Sequence, residues 1–162
     1  MNEQISKNEQ IADNPGVIAF PAALYGVTLA IGLVISFMFP VSFLPLPIAL
    51  PLAAIAMIGA GWFSTSAFRT MTRAQTAIDP AKPATAIVSD GVFRFSRNPL
   101  YLSLTLLYIG ISLLCNALWA LLLLLPLLAV VQIGVIQREE VYLERKFGDE
   151  YLRYKTQVRR WI

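Results

Sequence analysis

The sequence predicts an all-α integral membrane protein with four transmembrane helices and a cytoplasmic C-terminal helical extension, and three observations predict it. First, 57% of the 162 residues are hydrophobic and only 14% are charged, a balance too apolar for an ordinary soluble domain. Second, no charged residue occurs between Asn14 and Phe68 or between Asn98 and Gln137, so two long stretches are free to enter hydrocarbon. Third, the 13 basic residues fall unevenly, with one ahead of the first stretch, five between the two and seven after the second. Each stretch is long enough for a hairpin whose turn is uncharged, so all charge lies on one side. By the positive-inside rule that side, with both termini, faces the cytoplasm.

Taken in order, residues 1–16 form a polar cytoplasmic tail in which Glu3, Glu9 and Asp13 outnumber Lys7, unlike the basic start of a secretory signal. Residues 17–68 form the first transmembrane hairpin. Its first helix, over 17–39, suffices to cross ~30 Å of hydrocarbon at ~1.5 Å per residue. A turn at 40–45 leads to a second helix over 46–68, where Pro47 and Pro51 sit near the start and disturb least. Gly59-Ala60-Gly61 echoes part of a dinucleotide fingerprint, but no strand precedes it, and small residues inside an apolar helix suit close helix packing instead.

Residues 69–98 make the one long polar connection, with Arg69, Arg73, Lys82, Arg94 and Arg97 against Asp79 and Asp90. Its first part prolongs the second helix into water, Pro80 and Pro83 stop any helix, and Ile87-Val88 suits the membrane surface. Ser89-Asp90-Gly91 supplies a turn. The second hairpin covers 99–136: a short helix over 99–114, a turn at Asn116 close to the far interface, and a fourth helix over 117–136. Residues 137–162 are the cytoplasmic extension, a charged helix to Phe147, a stop at Gly148 and an amphipathic helix over 149–161. Trp161, with Arg159 and Arg160, suits an interfacial anchor.

With no histidine and one cysteine, Cys115, the usual zinc sets, Ser-His-Asp triads, Cys-His pairs and histidine acid-base schemes are excluded. Cys115 is assigned no role, and neither a metal nor a nucleic acid is expected as a partner. Two polar clusters remain. At the first, Asn98 has the side chain of a helix cap and Pro99 fits the first turn, with Arg97 and Tyr101 on either side. A cation and a phenol beside helix-start amides make a plausible seat for an anionic group. At the second, helical spacing puts Glu139 on a polar face with Gln132, Tyr142 and Lys146. It puts Glu140 on an apolar stripe with Ile133, Ile136, Leu143 and Phe147. A carboxylate on such a stripe needs a partner, either Arg97 across the bundle or a cationic ligand. Each residue also has a plain structural reading: an ion pair at Glu140, a contact to lipid phosphate at Arg97, an interfacial aromatic at Tyr101.

Gly91-Val92-Phe93-Arg94-Phe95-Ser96-Arg97-Asn98-Pro99-Leu100-Tyr101, followed by Glu139-Glu140, Phe147-Gly148, Tyr151, Tyr154 and Val158-Arg159-Arg160, resembles the isoprenylcysteine carboxyl methyltransferase and phospholipid methyltransferase superfamily. The resemblance covers the second half of the chain. It implies a multi-pass methyltransferase, of the bacterial inner-membrane type, that uses S-adenosylmethionine as methyl donor. It also implies a lipid or lipophilic small-molecule substrate entering laterally between helices: a prenylcysteine-like carboxylate, a lipid head group or another hydrophobic acceptor. Carried over position by position, Arg97, Asn98, Pro99, Tyr101, Glu139 and Glu140 are the implied cofactor-binding residues, with Arg97, Tyr101 and Glu140 also catalytic. Eukaryotic prenylcysteine enzymes have histidine where this chain has Asn98, and many relatives have glycine where it has Ser103. A non-catalytic bundle that binds lipid or a partner is the alternative. A sterol-reductase-like enzyme is a further one, although the extra helices of those proteins have no room here.

Overall fold

A computed structural model describes residues 15–79 and 82–162. Residues 1–14 of the tail expected over 1–16, and the helix stop at Pro80, lie outside the described residues. Those described form helices and connections, without strands. In chain order they are α1 (Pro21–Met38), α2 (Leu46–Arg73), a 3-10 turn (Gly91–Arg94), α3 (Pro99–Leu114) and α4 (Leu118–Val131). A π-helical turn (Gln132–Ile136) then leads without a break into α5 (Gln137–Phe147), and α6 (Asp149–Gln157) follows. Three helices are long and apolar enough to cross a membrane: α1, α2 and the continuous Leu118–Phe147; α3, at 16 residues, is shorter.

Local chemistry accounts for the boundaries. α1 begins at Pro21 rather than at Val17, because a proline at the first helical position gives up an amide that has no helical partner. α2 runs past Phe68 to Arg73, as the expected prolongation requires. α3 begins at Pro99 for the same reason as α1, and Asn116, at φ +50°, turns the chain toward α4. Gly148, at φ +53°, separates α5 from α6.

Packing follows small residues. Ala49, Ala53, Ala56 and Ala60 recur along one face of α2 and are buried against α3. Ser103 of α3 donates to the carbonyl of Ala60 at 2.9 Å. Within Gly59-Ala60-Gly61 it is Ala60 that is buried, while Gly61 faces open space. On the other side α1 packs along α4, with Gly32 so close that a Cβ there would stand 2.5 Å from the Ala120 Cα. The outward faces stay greasy: Phe37 is 88% exposed and Ile58 73%. Side chains of that kind belong against lipid rather than water.

The two turns meet at one end of the bundle. The Asn116 amide donates to Ser42 Oγ (3.2 Å) and to the Leu44 carbonyl (3.0 Å), and the Trp119 indole donates to the Phe39 carbonyl. The charged residues gather at the other end.

Candidate ligand site at the polar end of the bundle

The site is built on the approach to α3. Gly91 sits at φ +58° against Thr70 and opens the 3-10 turn, which buries Val92 and Phe93. These pack with Tyr151 and Tyr154 of α6, and the Tyr154 hydroxyl donates to the Phe93 carbonyl at 2.7 Å. Ile87 and Val88 join this cluster, so they cover protein rather than the membrane surface expected for them. Burial raises the pKa of the Tyr154 phenol. It also pushes Tyr151 up to about 12, with the charge of Glu140 adding to the shift and that of Arg97 opposing it.

Asn98 occupies the cap position of α3 without capping it. Its side-chain amide donates instead to the Arg160 carbonyl at 2.9 Å, and the Arg97 amide donates to the Arg159 carbonyl at 3.0 Å. The C-terminal segment is therefore docked through its carbonyls on the residues that lead into α3. Trp161 belongs to the same segment. It donates to Gln132 Oε1 at 3.0 Å and packs on the core, so it is docked on protein rather than acting as an interfacial anchor.

α5 supplies the carboxylates, and here the π-helical turn changes the expected faces. A π turn inserts an extra residue, which rotates everything after it relative to what precedes. Ile133 is consequently 63% exposed while Ile136 is fully buried, which breaks the stripe that unbroken helical spacing predicts. Tyr142, expected on a wettable face, is buried and accepts from Lys146 Nζ at 3.0 Å. Glu139 is half-buried rather than wetted, and its Oε1 accepts the Tyr101 hydroxyl at 2.6 Å.

Glu140 is buried, as the stripe argument required, and its partner is indeed Arg97: Nη2 lies 3.1 Å from Oε1. A second arginine, Arg160, donates from Nε to Oε1 at 2.9 Å and from Nη2 to Oε2 at 2.6 Å. These bonds to Glu140 are the main reason the Arg160 pKa is raised. The Arg97 side chain is only 8% exposed, yet its Nε and Nη1 are buried without a hydrogen-bond partner among the described residues. Buried guanidinium N–H groups in that condition call for an acceptor, best an anionic one.

That acceptor has a place to sit. A cavity of about 150 Å³ opens here, lined by Arg97, Asn98, Pro99, Tyr101, Glu139 and Glu140, the six residues singled out in the sequence. Thr76, Ile78, Ala84 and Ile87 of the connection after α2 complete the wall, with the Ala84 amide donating to the Tyr142 hydroxyl at 3.1 Å. Donor-rich and acceptor-rich groups thus converge on one small space, a cation on one side and a Tyr-Glu pair on another.

Residues 48–150 match the phospholipid methyltransferase family. The chain belongs to that family. A curated protein from Haemophilus influenzae (strain ATCC 51907 / DSM 11121 / KW20 / Rd), described as uncharacterised, is similar: 46% identical over 63 residues, 39% of this chain and the whole of that protein. No solved structure matches. The matched span includes all six of the residues singled out in the sequence. Arg160 lies beyond it. Sequence reading also left Tyr151, Tyr154 and the 76–88 wall without a site role, although Tyr151 and Tyr154 are among the residues that carry the family resemblance.

Proposed function

We propose that the protein is an S-adenosylmethionine-dependent methyltransferase that crosses the membrane four times and modifies a lipophilic acceptor at the cytoplasmic face. The buried Nε and Nη1 of Arg97 in the cavity wall, without partners among the described residues, carry the reading. They fit the carboxylate of the amino-acid end of S-adenosylmethionine, which supplies an electrophilic methyl group on sulfur. Glu139, tied to Tyr101 but to no arginine, is free to accept from an ammonium or a ribose hydroxyl. Asn98 and Pro99 fix the backbone beneath, Tyr101 lines the transfer pocket, and Glu140 holds Arg97 in place.

Methyl transfer from a sulfonium needs alignment and dryness more than acid or base, which suits a chain without histidine. A carboxylate or thiolate acceptor attacks without losing a proton. An amine acceptor must shed one, and Glu139 is the carboxylate placed to take it. A lateral route for the acceptor is supported by the gap between α3 and α4, lined by Thr105, Leu128, Ala129, Gln132 and Trp161, one turn from Tyr101. Calorimetric titration of S-adenosylmethionine into detergent-solubilised protein tests the proposal. Saturable binding that Arg97→Ala abolishes is expected; absence of binding to the wild type overturns it and favours a non-catalytic bundle.

A further inference from the structure

Arg97 does not hold its own position. Its single ionic contact among the described residues is to Glu140, and a carboxylate gripped on one oxygen by one arginine is free to swing about its side-chain torsions. What stops that motion is Arg160, whose fork engages both Glu140 oxygens. Arg160 is fixed in turn through its backbone. Its carbonyl accepts the Asn98 side chain at 2.9 Å and the Ser96 hydroxyl at 3.4 Å, while the next residue, Trp161, bonds Gln132. The order of burial agrees, since the Arg160 side chain is 34% exposed and the Arg97 side chain 8%. The outer arginine braces the carboxylate, and the carboxylate aims the inner arginine.

We propose that Arg160 is a positioning residue for the cavity: by locking Glu140 it directs the free N–H edge of Arg97 toward a ligand carboxylate. The C-terminal segment is therefore part of the site, although it lies beyond the residues that match the family. The inference rests on the cavity being an S-adenosylmethionine site. It adds that recognition of the amino-acid end, and not of the nucleoside end, depends on Arg160.

Two ligands separate the possibilities. S-Adenosylmethionine carries the carboxylate, whereas 5′-methylthioadenosine keeps the nucleoside and thioether but lacks the amino-acid end. Binding of the first is measured directly and of the second by displacement of radiolabelled S-adenosylmethionine, for the wild type and Arg160→Lys. Lysine keeps the charge but cannot span two oxygens, so S-adenosylmethionine should bind about tenfold more weakly to Arg160→Lys while methylthioadenosine changes less than about twofold. If the wild type binds both ligands and Arg160→Lys weakens both equally, or neither, the positioning role is overturned while the proposed function stands. A wild type that binds neither ligand removes the proposed function and the positioning role with it.

Discussion

At the scale of single residues, Glu139 and Glu140 are neighbours in sequence with opposite electrostatic situations. Glu140 is buried between two arginines, and replacing it by glutamine strips the counter-charge from a buried Arg97. Breaking a buried pair from one side costs about 3–5 kcal/mol, because the remaining charge stays desolvated. Glu140→Gln should therefore lower stability by an amount in that range in a denaturation series in detergent. Glu139→Gln is a different experiment. An amide oxygen still accepts the Tyr101 hydroxyl, so stability should fall by less than about 1 kcal/mol. The same change removes the anionic acceptor proposed for the ligand, so S-adenosylmethionine affinity should drop although the fold is intact. Equal stability losses at the two positions would mean that the ion triad does not shape the site.

At the scale of elements, close approach decides which substitutions the helices tolerate. Gly32 faces the Ala120 backbone, and a Cβ at 2.5 Å from a Cα can be relieved only by moving α1 away from α4. Gly32→Ala should cost about 1–3 kcal/mol in thermal unfolding, the range for overpacking a fixed interface. Gly61→Ala, which meets nothing within 4 Å, should cost nothing measurable. The contrast marks how far the sequence could be read. Pro99 announced the start of α3, Asn116 its hairpin and Gly148 the break before α6, because each acts through its own backbone torsions. The stripe of alanines on α2 was legible only in part, as Gly59-Ala60-Gly61, since hydropathy does not distinguish a helix-facing alanine from a lipid-facing one. The π turn at Gln132–Ile136 left no trace in the hydropathy of the run around it, and it misdirected the face assigned to Ile133. Nor did local rules find the partner of Asn98. Its amide is committed to a carbonyl 62 residues away, a contact that exists only after α5 and α6 have folded back over α3.

At the scale of the whole molecule, the polar and apolar ends of the bundle make a prediction about the membrane itself. The turn contacts around Asn116 and the arginine cluster around Glu140 lie at opposite ends of the helices, so four crossings would put them on opposite faces. Cys115 is the only cysteine in the chain and is exposed beside Asn116, a natural reporter for the uncharged end. Glu150, exposed at the start of α6, is a suitable position for a second reporter. In sealed right-side-out vesicles, a membrane-impermeant maleimide should label Cys115 without permeabilisation. In a Cys115→Ser, Glu150→Cys protein it should react only after the vesicles are opened. The positive-inside rule makes this orientation the expected one, because seven of the basic residues follow α4. The inverse labelling pattern would put the cavity outside the cell, away from any cytoplasmic methyl donor. Labelling of both positions from the same face would show that the helical run between them, Leu118–Phe147, does not cross, and the four-crossing arrangement would fall with it.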